Sequence, residues 1–423
     1  MKRELNDMEY MNYSMGQPYN LAVVIRIMGN LTEESLKSVF VKLQIRHPLL
    51  KVRIEHDDKD IPWLTSENVE AIPITVVKRL DEAHTRREFQ KHLVTPFDYE
   101  KKEQPLFRIT LLSSNQNSDL VLCAQHTITD GMSMVFLVRD LMKYLNYPKE
   151  KIDVLDAPAN TQDIFSKKIR RTISKTSFRA KILIILLRIY HAFLFGVGKG
   201  KKKIEETMES KHVDLQIHSW NFSEEQTKSF LKKCKTRRIS VHSAICTAFL
   251  PEISTINNPV DLRNRLNFPI GESFGLFAGG TVISMKYRNK KDFWSNAQRY
   301  QRKLIWNLRD RKVFGIHRAF NKSVSLSDMS KLGILFVDIL SRENPFAITN
   351  LRDLDRLGLT LEAENFSIES FYGAISNALD AMTVVVFTLR KKMYFHYIYM
   401  ETHHEIDRIK QISESVIKTL LES

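Results

Sequence analysis

The sequence predicts an α/β fold of two sandwich-like halves on either side of a short basic segment, and three observations carry that expectation. A chain of 423 residues exceeds the size at which one hydrophobic core stops growing, so two units of about 200 residues are the default. Strand-like and helix-like patterns are mixed in both halves, without the regular alternation of a doubly wound sheet. The composition, 43% hydrophobic and 27% charged with no internal repeat, is that of a globular protein able to build such cores. The halves are expected at 1–160 and 211–423, with 161–210 as a basic amphipathic linker or membrane-contact segment.

In the first half, NLAVVIRIMG (Asn20 to Gly29) reads as a strand that ends at a glycine, and LTEESLKSVFVKLQIRHP as an amphipathic helix with Thr32 as N-cap and Pro48 beyond its end. PLFRITLLSS and SDLVLCAQ read as two strands joined by the turn-rich SSNQNSD. After Gly131, the spacing of Met134, Leu137, Val138 and Leu141 marks an apolar helical face.

The second half opens with the strand HVDLQIHSWNFS and the helix SVHSAICTAFL, capped by Ser240 and stopped by Pro251. SFGLFAGGTVISMKY reads as a glycine-broken strand, with Gly279–Gly280 as a bulge rather than a phosphate cradle, since no GxGxxG or Walker pattern follows. KDFWSNAQRYQRKLIWNLRD is a long helix, MTVVVFTLRKKMYFHYIYM two strands, and EIDRIKQISESVIKTLLES a final helix.

A net charge of +15 suggests nucleic acid until its position is considered. Lys167 to Lys203 holds twelve Lys or Arg residues and no acidic one, which leaves the rest of the chain near balance and excludes a nucleic-acid partner as the general reading. Within it, Ala180 to Gly198 is almost wholly apolar, with Lys181, Arg188 and His191 on one helical face. Such a segment suits the interface of an anionic membrane better than a span across it; the alternative is a helix packed on its own protein. Cys123, Cys234 and Cys246 form neither a disulfide framework nor a CxxC metal site, and the N-terminal residues lack a secretory apolar core. A cytoplasmic protein, peripheral on the inner face of the membrane, is the expectation.

The chemistry points to AQHTITDG, Ala124 to Gly131, at a strand-to-helix junction. Imidazole takes and returns protons near neutral pH, so His126 is a candidate base. Asp130 four residues on is either its orienting partner or the cap of the following helix, and Gly131 permits close approach of another group.

These residues, with GNLTEESLKSVFVKLQIRHPLLKVRI, TPFDYEKKEQPLFRITLL, SVHSAICTAFL, NNPVDLRNRL and AITNLRDLD in that order, resemble the CoA-dependent acyltransferase superfamily. That superfamily includes chloramphenicol acetyltransferase, nonribosomal peptide condensation domains, alcohol acetyltransferases and polyketide-associated acyltransferases. The resemblance implies two chloramphenicol acetyltransferase-like α/β sandwich domains with the active site in a tunnel between them. It implies that His126, at the histidine of the HHxxxDG motif, deprotonates an acceptor hydroxyl or amine attacking an acyl thioester, with no acyl-enzyme. Asp130 would be mainly structural, paired to an arginine for which Arg263 is the best match and Arg265 a weaker one, and Gly131 would keep the backbone clear of the thioester. The sequence departs from the family in having Gln125 at the motif's first histidine, no DFGWG motif, and Arg352 where the NLG segment of some branches has glycine. Thr349 and Asn350 beside it are candidate oxyanion or substrate groups, or simply a capped turn.

A second HxxxD, His403 and Asp407, is followed by Arg408 instead of glycine, and no metal ligand set completes His403, His404 and Glu405. No bound cofactor or metal is expected; acyl-CoA or an acyl carrier protein thioester is a co-substrate. Three readings stand: an acyltransferase acting on an alcohol or amine, including a lipid; a standalone condensation enzyme forming an amide between carrier-bound partners; and a catalytically silent relative that binds lipid or a carrier protein.

Overall fold

The computed structural model describes residues 1–99, 101, 103–115, 117–156, 164–173, 182, 185, 215–267, 270–314, 346–360, 365–376, 382–400 and 406–423. The first half supplies strands β1 (Lys2–Glu4), β2 (Asn20–Met28), β3 (Arg53–His56), β4 (Pro62–Thr65), β5 (Ile74–Lys78), β6 (Phe107–Ser113) and β7 (Asn117–Gln125). The second supplies β8 (Leu215–Asn221), β9 (Thr255–Asp261), β10 (Ala278–Ser284), β11 (Phe346–Asp353), β12 (Ser367–Ile375), β13 (Met382–Leu389) and β14 (Lys392–Met400). They form a sheet ordered β12-β2-β7-β6-β5, a sheet ordered β10-β9-β11-β13-β14-β8, and a small sheet β1-β4-β3.

Strand β2 reads as an unbroken apolar run because Leu21 to Ile25 are buried between β7 on one side and β12 on the other. Its partner β12 comes from the far half of the chain: Ile375 faces Leu21 and Phe371 faces Ile25 across the ladder. The first sheet is therefore built from both halves, and the segment expected as a C-terminal unit lends it an edge strand. The helix Glu82–Val94 packs on β2 and β7, and the helices Glu33–Arg46 and Gly131–Asn146 pack on each other. Thr32 caps the helix that begins at Glu33 by accepting from the Ser35 N–H at 3.1 Å.

In the second sheet, β13 separates two cores. Val385 and Phe387 join the core of the first sheet, whereas Val384 and Val386 join the second core with Phe395 and Tyr397. Successive side chains point to opposite faces, so a strand buried on both sides reads as a continuous apolar run, as Val384–Phe387 does. A third cluster joins Ile164, Phe165 and Ile169 to Leu262, Leu276, Val313 and Phe314. Part of the expected linker is thus packed core. Of Ala180–Gly198, only Ile182 and Ile185 are described, both helical and exposed; the rest lies outside the described residues.

Two sequence expectations change. SFGLFAGGTVISMKY is a strand only over Ala278–Ser284, and Gly279–Gly280 is not a bulge, because β10 pairs with β9 in unbroken register through both glycines. Gly279 instead admits the Leu262 side chain, which a Cβ would approach to 2.9 Å. Among the described residues no helix is long and apolar enough to cross a membrane.

Burial holds two histidines neutral. His92, whose Nε2 lies 2.8 Å from the Thr110 hydroxyl, is lowered to about 3 by burial and then by the nearby Arg108 and Lys91 charges. Burial pushes His396 down to about 4. The unfolded chain takes up these protons below about pH 6.5 and the native state does not, so acid favours unfolding. Stability is expected to be complete above pH 6.5 and to fall toward pH 4, with each histidine contributing up to about 1.4 kcal/mol per pH unit. Denaturant midpoints measured across that range check this: the His92→Gln/His396→Gln variant should show a flatter slope, and an unchanged slope would refute it.

Candidate active site

Strand β7 ends at Gln125, and the chain then turns through residues 126–129 into the helix Gly131–Asn146. The turn is held from three directions. The His126 N–H donates to the Tyr19 carbonyl at 2.8 Å, the Asn12 amide donates to the His126 carbonyl at 3.1 Å, and the Ile128 N–H returns to the Gln125 carbonyl at 3.1 Å. The Tyr19 ring packs on the imidazole with centroids 4.9 Å apart. Neither Asn12 nor Tyr19 was legible as a site residue, because both lie in a polar N-terminal stretch without periodic pattern.

His126 is 7% exposed. Its Nδ1 lies 2.6 Å from the Thr129 carbonyl oxygen. A carbonyl can only accept, so Nδ1 carries the hydrogen and Nε2 keeps the lone pair. Burial lowers the imidazole pKa, opposed by the Thr129 bond and the Asp130 charge, so the ring is neutral at pH 7. Gln125 faces inward: it is fully buried, and its Oε1 accepts from the Thr127 N–H at 2.6 Å.

Asp130 is engaged away from the imidazole. Its Oδ1 caps the helix by accepting from the Ser133 N–H at 2.7 Å, and its Oδ2 accepts from the Phe277 N–H at 2.7 Å. Arg263 approaches both carboxylate oxygens, at 3.2 and 3.3 Å, with both side chains nearly fully buried. Its Nη2 also donates to the Ser133 hydroxyl at 2.7 Å. That hydroxyl in turn donates to the Gly275 carbonyl at 2.5 Å and accepts from the Gly275 N–H at 3.0 Å. The first turn of the helix is thereby latched to Arg263 and to the segment 275–277 of the second half. Arg265 is not part of this latch and pairs with Asp310 at 3.1 Å.

Ser133, Gly275 and Phe277 are members of the latch that the sequence reading missed. Gly275 within SFGLF was the available signal, since a Cβ there would meet the Phe277 ring at 2.6 Å and Leu49 at 3.3 Å. Gly275→Ala is expected to destabilise the protein by about 1–3 kcal/mol through overpacking, read as a fall in thermal midpoint; no change would mean that the loop relaxes freely.

The Asp130–Arg263 pair extends to β11. Arg263 also reaches Asp261 at 3.3 Å, and Asp261 binds the Arg352 guanidinium at 3.2 Å. Arg352 occupies the left-handed region at φ 69°, where the resemblance expects glycine, and its N–H donates to the Asn350 Oδ1 at 2.8 Å. Thr349 and Asn350 thus sit on a strand whose next residue, Leu351, lies against Gly131; a Cβ on that glycine would stand 3.2 Å from Leu351 Cδ2. The structure places His126, Asp130 and Gly131 in one turn, joins Asp130 to Arg263, and brings β11 to Gly131 through Leu351, while Asn350 Oδ1 is already engaged by the Arg352 N–H. His403, His404 and Glu405 lie outside the described residues, and no metal-binding cluster occurs among the described ones.

A family model described as the Condensation domain matches residues 10–161. A plipastatin synthase subunit of Bacillus subtilis (strain 168) is 27% identical over 135 residues, which is 32% of this chain and 4% of that protein. The chain thus matches only a small part of that relative's length. Among solved structures, the first condensation domain of the CDA synthetase superposes with TM-score 0.66 at 13% identity, covering 100% of this chain and 96% of that one. A trichothecene 15-O-acetyltransferase from Fusarium sporotrichioides gives TM-score 0.63 at 12% identity, over 99% of this chain and 95% of that one. The motif-bearing segment is therefore condensation-domain-like, and the whole chain has the two-part α/β fold of that condensation domain and that acetyltransferase.

Proposed function

We propose that this protein is an acyltransferase that moves an acyl group from a thioester, on CoA or a carrier protein, to a hydroxyl or amine acceptor. The observation that carries the reading is the Nδ1 contact of His126 to the Thr129 carbonyl, which leaves Nε2 as a lone-pair nitrogen on a neutral ring. In the proposed step Nε2 takes the acceptor's proton as its oxygen or nitrogen attacks the thioester carbonyl. The tetrahedral intermediate collapses, the C–S bond breaks, and His126 returns the proton to the departing thiolate. One C–O or C–N bond has formed, and the enzyme ends as it began, with no acyl-enzyme.

Asp130 and Arg263 hold the turn in place. Gly131 lets the Leu351 side chain of β11 approach the turn, and Thr349 and Asn350 are the proposed oxyanion or substrate groups. The basic segment Lys167 to Lys203 is proposed to meet an anionic membrane, which favours a lipid or fatty-alcohol acceptor and a location on the inner face of the membrane.

The condensation-domain match over residues 10–161 favours a second reading, amide formation between carrier-bound substrates. Free-thiol release tests both, with short to long acyl-CoAs and acyl carrier proteins offered against alcohols and amines. Release from CoA that depends on an alcohol supports acyl transfer; release only from carrier thioesters with amines supports condensation. No release from any donor would sink both and leave a silent relative that binds lipid or a carrier protein.

A further inference from the structure

The helix Phe293–Asn307 and the short helix Asp310–Val313 present a surface that the proposed chemistry does not use. Phe293, Asn296, Ala297, Tyr300 and Leu304 are buried, while the outer face carries Arg302, Lys303, Ile305, Trp306 and Arg309, all exposed. Ile305 is 60% and Trp306 50% exposed, two large apolar side chains on the solvent side of the helix. The Arg309 guanidinium lies 3.8 Å and the Lys312 Nζ 5.0 Å from the Trp306 ring centroid. From Phe293 to Arg309 the sequence has no acidic residue. The flanking carboxylates are occupied: Asp292 caps the helix through Ser295, and Asp310 pairs with Arg265.

This surface adjoins the start of the basic segment. The helix Lys167–Ile173 packs beside it, with Phe165 against Phe314 at 5.7 Å between centroids and Ile169 in the same cluster as Val313. Lys167 and Arg171 remain exposed there. Farther along the same segment, Ile182 and Ile185 are also exposed.

Charge alone would suit any polyanion. An exposed indole and isoleucine set among cations suit a bilayer interface better: the ring seats at headgroup level while guanidinium and ammonium groups meet lipid phosphates. We infer that the face formed by Arg302, Ile305, Trp306, Arg309 and Lys312, together with Lys167 and Arg171, docks on an anionic bilayer with Trp306 entering the interface. This docking is independent of the acyl-transfer reading.

The full chain is mixed with vesicles of equal phosphatidylcholine and phosphatidylglycerol, or of phosphatidylcholine alone, at low salt. Binding to the anionic vesicles only is expected, with a blue shift of tryptophan emission that disappears in Trp306→Phe. Removing three charges in Arg302→Gln/Arg309→Gln/Lys312→Gln should weaken binding on the order of 100-fold, since each surface cation contributes about five-fold. The thermal midpoint should hold, because these side chains are exposed, and His126→Ala should bind like the parent whatever becomes of its activity. No binding to anionic vesicles, or unchanged binding by the triple variant, overturns the inference. Binding with unshifted Trp306 emission that heparin displaces would assign the face to a soluble polyanion and overturn it equally.

Discussion

Replacing His126 with alanine is expected to lower kcat/KM by about 10²–10⁴-fold, the contribution of a positioned general base. The variant loses the nitrogen that Thr129 orients, yet the turn keeps the Tyr19 and Asn12 backbone contacts, so the thermal midpoint should move by only a few degrees. The pH profile gives a second readout. Burial lowers the His126 pKa below its ordinary 6.5, and the base must be unprotonated. Parental kcat/KM should therefore be level at neutral pH and fall only below pH 6.5, and the residual activity of His126→Ala should lack that limb. Full activity in the variant would refute the assignment of the base.

Arg263→Ala is expected to have the largest effect on folding, about 3–5 kcal/mol, because it leaves the buried Asp130 carboxylate without its counter-charge. The same change strips donors from Ser133 and Asp261 and removes a cation lying 4.8 Å from the Phe277 ring centroid. Asp130→Asn should cost less, since an amide oxygen still caps the helix. The double variant Asp130→Ala/Arg263→Ala should be more stable than the sum of the single losses, with a coupling of roughly 1–3 kcal/mol. Activity should fall alongside stability, because the latch sets where the second half meets the His126 turn. Unchanged denaturant midpoints in both single variants would show that the pair does not hold these segments together.

The candidate site was legible where its logic is local. His126, Asp130 and Gly131 stand at a junction that an apolar run, a capping residue and a helical apolar face mark without any tertiary information, and Asp130 does cap that helix. Arg263 was reachable only through resemblance, since nothing in VDLR by itself points across 133 residues to Asp130. Ser133, Gly275 and Phe277 were not legible, because their roles are backbone contacts between distant loops. The helices 33–46, 241–249, 293–307 and 406–422 are legible in the sequence, those at 33 and 241 with the side chains that cap them; the Asp292 cap of the helix at 293 emerges in the structure. Short or half-polar strands such as β9, β11 and β12 give no such signal. In β12, buried and part-exposed positions follow one another without strict alternation.

What the sequence determined alone was the α/β class, several helices and central strands but not the helices 82–94 and 224–237, and a histidine and an aspartate four residues apart at a strand-to-helix turn. Those features depend on neighbours within one or two turns of chain, where side-chain spacing and capping act directly. The tertiary structure decided that β12 leaves its own half to complete the first sheet, that β13 walls off two cores, and that Asp130 faces Arg263 rather than the imidazole it follows. Each of these depends on burying apolar faces and buried charges against segments far away in sequence, a choice that local pattern does not encode.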